Sequence, residues 1–577
     1  MEYTINITNN YKNIILKNEN EEFSIELNKQ IKVFHEDIVK YDKNTKDLSI
    51  IKSNIKYKRI VGILQINKKM IYGLNNKKNP YYLFKPLDNH YPNFYVAIND
   101  KNLKNKNGSY YITIKYNLWD KKLPYGIMDK FIGEIGVKEN EIQKLIHFYN
   151  IDTRNMKIKN IKHNNTIYDI FDENDLKNVK KRTDLKVISI DPKNSKDIDD
   201  ALSIEYIDNI KRIGIHIADV SSWYFKLNLD KFIRKNRYFT VYLKNNKYNL
   251  FPNVLSDNLM SLIQRQDRLS LSLYIDFNEN DEIIKYYYEN NIINVNKNYS
   301  YEKFNNILNS NDKKYKEYYD LFELSKKLGF SKEEEYDSHN MIENYMILAN
   351  KITGEYLVKN NKNPILRYHE ETKYNIDFEK IDNKELRHFL KIFQTKSASY
   401  KEYDGEDFNY YHFGLNLNLY AHFTSPIRRF IDILNHIKIK SCLFNTDYSI
   451  KNNDIDDINQ TNKNLRKMDR EMNEIEKIES LRDKTVKGYL VNYKDNYLYF
   501  YISEYNLYMK KRIFYNDDMM KDIKFIHNED NFEVINIKNK KGIKLKKFFS
   551  YDISIKKLLN TNLFYYQIIK YDFQKMV

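Results

Sequence analysis

A single cysteine, Cys442, in 577 residues excludes a disulfide framework within the chain and any zinc site built from thiolates. No run approaches the ~18–20 uninterrupted apolar residues of a membrane-spanning helix. The opening stretch, MEYTINITNNYKN, has no basic segment followed by an apolar one, so no secretory signal is visible. An intracellular, soluble protein is expected, cytoplasmic in the plainest case. Glycine (13) and proline (8) are scarce, whereas Lys, Asn, Ile and Tyr abound, as an AT-rich coding sequence produces. That bias accounts for part of the lysine count and of the 52 tyrosines, so net charge alone does not establish a partner.

What is present is a basic chain with enough apolar residues to fold. Lys and Arg total 96 against 79 Asp and Glu, a net charge of +17 that suits a polyanionic partner. Apolar residues make up 42% of the chain, sufficient for real cores. The length accommodates roughly three to five domains.

Residues 1 to 160 alternate short β-type runs with polar turns, as in KRIVGILQI (58–66) and GSYYITIKYNLW (108–119), which suggests small barrels or sandwiches. A helical pattern follows in KENEIQKLIHFY. Residues 182–440 mix strands with longer helical stretches. In 462–482, Leu465, Met468, Met472, Ile475, Ile478 and Leu481 recur at three- and four-residue steps, which predicts an amphipathic helix. Strand patterns return from 485 onward, in TVKGYLVNY and YLYFYI.

The chemistry concentrates in VISIDPKNSKDIDDALSI, residues 187–204, where Asp191, Asp197, Asp199 and Asp200 fall within ten positions between apolar runs. Crowded carboxylates repel, and burying them unpaired is costly. A loop beginning at Pro192 can return Asp191 to the DIDD group, and such a cluster of hard oxygen donors suits Mg²⁺. A calcium loop of the EF-hand type requires glycine at its sixth position; counted from Asp197 that residue is Leu202. A purely solvated acidic loop fits poorly between apolar strands.

A second segment, YHFGLNLNLYAHFTSPIRRFIDILNH (411–436), reads as a loop entering a helix. Ser425 is a good N-cap, Pro426 suits the first helical position, and Ile427, Phe430, Ile431, Leu434 and Ile437 trace an apolar face. This places Arg428 and Arg429 in the first turn, where cations oppose the helix dipole and an anionic partner would offset them.

Together these two segments resemble the signatures of the RNase II / RNase R (RNB) exoribonuclease family. The likeness extends to RYFTVYLKNNKYNLFPNVLSDNLMSLIQRQDRLSLSLYIDF (237–277), IENYMILAN (342–350) and PILRYHE (364–370). It also takes in WDKKLPYGIMDKFIGEIGVKENEIQKLI upstream and the C-terminal strands. The implied fold is multidomain α+β, an RNB catalytic domain between OB barrels. Residues 1–75 and 76–160 would be cold-shock-like barrels. Residues 161–482 would be the RNB domain, with its signature core at 182–440 and a closing helix at 462–482, and 483–577 an S1-like barrel.

The resemblance implies processive 3′-to-5′ hydrolysis of single-stranded RNA to nucleoside 5′-monophosphates by a monomer using one or two Mg²⁺ ions. It assigns Asp191, Asp197, Asp199 and Asp200 to metal binding and water activation, and Arg428 to the scissile phosphate. Tyr242 would pack on the terminal nucleotides, and Glu343 falls at an acidic position in the RNA-binding cavity. Arg429, His216 and His412 are expected to be packing residues. The loop KNSKDIDD departs in detail from relatives but keeps every acidic position. No PIN-type nuclease segment is seen at the N-terminus, and the chain end YYQIIKYDFQKMV is not a basic tail. The competing expectation is an RNB-fold protein that binds RNA without cutting it; such proteins are expected to lose aspartates that this chain keeps.

Overall fold

The computed structural model describes the chain except residues 9–10, 12, 27–30, 68, 99–107, 245, 311, 332–334, 373–375, 406, 447–453, 482, 495–496, 514–521, 528–530, 558–563 and 569–577. The chain end, on which the expectation of no basic tail rests, falls partly outside the described residues. Two compact units are present. One comprises Met1–Ile151, Asp377–Leu390 and Arg466–Val577, the other Asp152–Ile376 and Lys391–Leu465.

The first unit is built of small sheets. Strands Glu22–Glu26, Asn13–Lys17, Glu2–Thr8, Ile38–Tyr41 and Leu48–Lys52 form an open sheet in that order. A closed barrel follows from Arg59–Ile66, Tyr81–Pro86, Phe94–Ala97, Gly108–Leu118 and Tyr125–Glu134, with Ile60, Leu64, Phe84, Phe94, Val96, Ile112 and Ile114 packed inside. The boundary between these bodies therefore lies between Lys52 and Arg59, not at 75–76. The run RIVGILQI pairs with 83–86 and with 108–115 of the closed barrel, and partners so distant in sequence leave no local mark. The C-terminal part holds a five-stranded sheet, including Thr485–Lys494 and Tyr497–Ile502, and a three-stranded one over 523–546; both contribute to one apolar core.

The second unit centres on a mixed sheet, ordered Lys180–Lys181, Ile283–Ser300, Val187–Asp191, Asp200–Ile207, Ile210–Ala218 and Asp267–Phe277. The last strand also pairs with Ile283–Ser300, so the sheet closes on itself. Side-chain alternation sends Ile188, Ile190, Leu202, Ile204, Ile213, Ile215 and Ile217 to one face, where they pack with residues of helices Tyr301–Ser310, Lys316–Leu328 and Ser338–Lys359. Val187 and Ala201 point the other way, into a core with Trp223, Phe251 and Phe430. Each such buried aliphatic or aromatic side chain contributes about 1.5–3 kcal/mol. Covered on both faces, the sheet exposes chemistry only at its ends and in its loops.

The long helix begins earlier than its apolar spacing suggested, running Ile455–Ser480. Asp454 explains the extra turns, because its Oδ1 accepts from the N–H groups of Asp456 (3.0 Å) and Asp457 (3.2 Å). In this division its residues from Arg466 onward group with the first unit rather than with the sheet domain.

Candidate active site

Asp191 ends the strand Val187–Asp191 and Asp200 begins the strand Asp200–Ile207; the two strands are antiparallel, with Ile188 opposite Leu202. Continuing that register brings Asp191 beside Asp199 and Asp200 at one end of the sheet. The intervening loop is tied down by Ile198, whose N–H donates to Ser261 Oγ (2.9 Å) and whose carbonyl accepts from Leu262 N–H (3.0 Å). The sequence thus forces carboxylates together by anchoring the apolar residue between them.

The second motif meets this end of the sheet through Asp199. Its Oδ1 accepts from the backbone N–H of Ile427 at 2.8 Å, and its Oδ2 lies 3.3 Å from Arg428 Nε. Arg428 Nη2 donates to Ser425 Oγ at 2.8 Å, and the side chain remains 43% exposed. The helix does not start at Pro426; it spans Phe430–Phe444, with Arg429 extended at the N-cap. Residues 428–430 instead run alongside 238–240: Thr240 N–H donates to the Arg428 carbonyl (3.0 Å) and Phe430 N–H to the Tyr238 carbonyl (2.9 Å). One turn closes at Ser425, whose carbonyl accepts from Arg429 N–H (3.0 Å), but it does not propagate because Phe430 N–H and the Arg428 carbonyl are committed to the 238–240 segment. Arg429 turns inward onto Asp432 with two hydrogen bonds of 2.9 and 2.8 Å, a packing role like that of His216, which is buried between Ser203 and Ser272.

Tyr242 also reaches the cluster. Its hydroxyl donates to Asp197 Oδ2 at 2.5 Å while the residue stays 48% exposed. Burial first, then the Asp197 charge, push its hydroxyl pKa upward. Lys247 was not singled out from the sequence, yet its Nζ donates to Asp197 Oδ1 (2.8 Å) and to Asp257 Oδ1 (2.6 Å). In so lysine-rich a chain no local signal marks it. Glu343 is exposed on helix Ser338–Lys359 and makes no hydrogen bond or ion pair with the aspartates among the described residues.

Two further residues missed in the sequence seat the second motif. Asn350 Oδ1 accepts from Phe423 N–H (2.8 Å), and the Asn350 carbonyl accepts from Ala421 N–H (3.2 Å). One turn on, Gly354 lets the backbone pass, since a Cβ there would lie 1.6 Å from the Leu419 carbonyl oxygen.

The electrostatics are those of a site short of positive charge. Burial drives the Asp199 carboxyl up to about 7 against the pull of Arg428, and drives Asp191 up to about 6, with Asp197 adding repulsion. Asp200 is raised by burial and then by Asp191 and Asp199. Asp200 accepts no hydrogen bond among the described residues, and Asp191 has one, from Ser189 Oγ at 2.8 Å. Hard, under-satisfied oxygens fit a divalent cation. Among the described residues no group of three or more His, Cys, Asp or Glu side chains is already arranged to hold a metal ion.

Against known proteins, the RNB domain model matches residues 179–445 and the Dis3-like cold-shock domain 2 model matches residues 81–150. The class is therefore an RNB domain joined to OB-type barrels. Residues 179–445 are an RNB domain, the domain by which this chain is similar to ribonuclease R and its relatives. It is 27% identical over 449 residues to mouse exosome complex exonuclease RRP44, covering 66% of this chain and 46% of that protein. It is 30% identical over 317 residues to Helicobacter pylori ribonuclease R, covering 44% of this chain and 48% of that protein. The chain thus spans about half the length of these curated relatives. In fold it is similar to Mycoplasma genitalium RNase R in complex with ribose-methylated single-stranded RNA, with a TM-score of 0.74 at 18% identity over 98% of this chain and 100% of the other. It also resembles yeast Ssd1, a pseudonuclease, with a TM-score of 0.65 at 14% identity over 93% and 81%. Among the described residues no helix is long and apolar enough to cross a membrane.

Proposed function

We propose that the protein is a Mg²⁺-dependent exoribonuclease that hydrolyses single-stranded RNA processively from its 3′ end and releases nucleoside 5′-monophosphates. One observation carries the reading: Asp199 joins the carboxylate cluster to Arg428, so negative groups for a cation and a positive group for a phosphate stand together.

Asp191 and Asp200 would hold the ion, with Asp197 and Asp199 completing the acidic surround. Bound there, a divalent ion supplies an acidified water and neutralises charge on the phosphoryl group. Arg428 contributes fixed positive charge at the phosphoryl oxygens, held in place by Asp199 and Ser425 so that little reorganisation is needed on reaction. Tyr242 offers its exposed ring to a terminal base while its hydroxyl stays on Asp197, and stacking of that kind is indifferent to base identity. Glu343, exposed on helix Ser338–Lys359, is proposed as an acidic residue of the RNA-binding cavity.

The likeness to a pseudonuclease frames the other reading, an RNA-binding protein without activity. Retention of all four aspartates with Arg428 favours hydrolysis. The test is a 5′-labelled single-stranded RNA incubated with the protein in Mg²⁺ or in EDTA. Shortening to a small limit oligomer only with Mg²⁺ supports the proposal. Intact RNA in both, with binding retained, supports the silent alternative.

A further inference from the structure

Asp197, like Asp199, has both carboxylate oxygens engaged, in its case by Lys247 Nζ on Oδ1 at 2.8 Å and the Tyr242 hydroxyl on Oδ2 at 2.5 Å. Asp200 accepts no hydrogen bond among the described residues. The difference traces to one ribbon. Strands Val241–Tyr242 and Lys247–Tyr248 are antiparallel, and Tyr242 lies directly opposite Lys247. A cross-strand pair has neighbouring side chains, so the ribbon delivers a hydroxyl and an ammonium together to one carboxylate.

Lys247 is held from its other side as well. Asp257 Oδ1 accepts from Lys247 Nζ at 2.6 Å and from Asn249 Nδ2 at 2.9 Å. Asp257 sits in a single π-helical turn, Leu255–Leu259, closed by Met260 N–H on the Leu255 carbonyl at 2.9 Å. Such turns cost backbone regularity and occur often at functional sites. The side chains of Lys247, Asp197 and Asp257 are 24%, 9% and 15% exposed, so this is a seated ion pair rather than a mobile surface contact.

We infer that Lys247 is a built-in cation of the acidic cluster, filling the position beside Asp197 that a second divalent ion would take, and leaving one ion position at Asp191 and Asp200. This rests on the reading of Asp191 and Asp200 as ion ligands. A second ion at Asp197 would have to share Oδ1 with the ammonium and Oδ2 with the hydroxyl, against repulsion from Lys247 in a poorly hydrated setting.

The experiment is a Mn²⁺ titration of the full chain without RNA, followed by calorimetry and by the signal of free Mn²⁺ in electron paramagnetic resonance. The parent should take up one ion per chain. Lys247→Met, with the same apolar stem and no charge, should take up two, or bind its first about tenfold tighter. Lys247→Arg keeps the charge and should behave as the parent. Lys247→Gln provides a second neutral variant should the methionine form fail to fold, with thermal melts confirming a folded state. Equal stoichiometry and affinity in parent and neutral variants overturns the inference. If that equal uptake is one or more ions, the metal reading of the site stands without it. If it is no ion in any form, both fall together.

Discussion

Asp199 and Arg428 stand 229 positions apart in the chain, yet Oδ2 of one lies 3.3 Å from Nε of the other, and the neighbouring N–H of Ile427 closes on Oδ1 at 2.8 Å. The pair fixes where the acidic loop ends and where the arginine begins, so its loss should be felt in catalysis before stability. Asp199→Asn keeps the side-chain shape and an oxygen for Ile427, but removes the charge facing Arg428. Turnover of single-stranded RNA should fall by about 100-fold or more, while the dissociation constant for RNA changes little. Turnover near the parent value would contradict the assigned role.

Tyr242 makes two separable contributions. Tyr242→Phe removes the hydroxyl on Asp197 and keeps the ring; it should lower turnover and leave the limit product length unchanged. Tyr242→Ala also removes a stacking surface worth roughly 1–3 kcal/mol per base and should lengthen the limit products, because short oligomers dissociate sooner. Neither alters charge, so both should keep the parent's slope of log affinity against log salt, about −0.7 per phosphate neutralised. Gel analysis of limit products beside a salt titration of binding checks both.

The acidic motif was legible because polar residues between two buried strands demand a reason, and the SPIRR segment because serine, proline and arginine punctuate an apolar helix. Lys247, Asp257 and Asn350 were not legible. Each acts through a partner reached only by folding, and lysine and asparagine are too common in this chain to stand out. The start of the second motif's helix differs from expectation for a related reason: Ser425 and Pro426 have cap chemistry and close one turn, but the 238–240 segment claims Phe430 N–H and the Arg428 carbonyl. The strand RIVGILQI was recognisable as a strand, while its place in the closed barrel depended on partners tens of residues away.

Asn350 and Gly354 predict stability effects on one helix face. Asn350→Ala leaves the buried N–H of Phe423 without its acceptor, at a cost of about 1–3 kcal/mol. Gly354→Ala sets a methyl against the Leu419 carbonyl and should cost about 1–3 kcal/mol or more through forced backbone movement. Thermal melts of both variants, with turnover measured below the transition, test whether this helix seats the Arg428 segment. Unchanged melting in both would remove it from that role.

Asp219 and Lys440 form a buried ion pair, with Nζ 2.7 and 2.6 Å from the two carboxylate oxygens. Burial alone would raise the Asp219 carboxyl, but Lys440 and the hydroxyls of Ser221 and Ser222 hold it down at about 2, whereas burial leaves Lys440 below its ordinary value. Because the folded value lies below the ordinary 3.8, this stabilisation is present above 3.8 and is lost as pH falls through about 2. The melting temperature of the parent should fall between those pH values more steeply than that of Asp219→Asn, which should already be destabilised at neutral pH by about 3–5 kcal/mol. Parallel acid profiles would refute the assignment.

In the proposed reaction a water molecule, not the RNA's own 2′-hydroxyl, cuts the RNA at the Asp191–Asp200 cluster. Digesting single-stranded RNA with Mg²⁺ in ¹⁸O-labelled water and weighing the released mononucleotides tests it directly. Nucleoside 5′-monophosphates carrying one ¹⁸O atom on phosphorus, and none from Asp200→Asn, are the predicted result. A 3′-phosphate or a 2′,3′-cyclic phosphate product, or activity undiminished in Asp200→Asn, would contradict it.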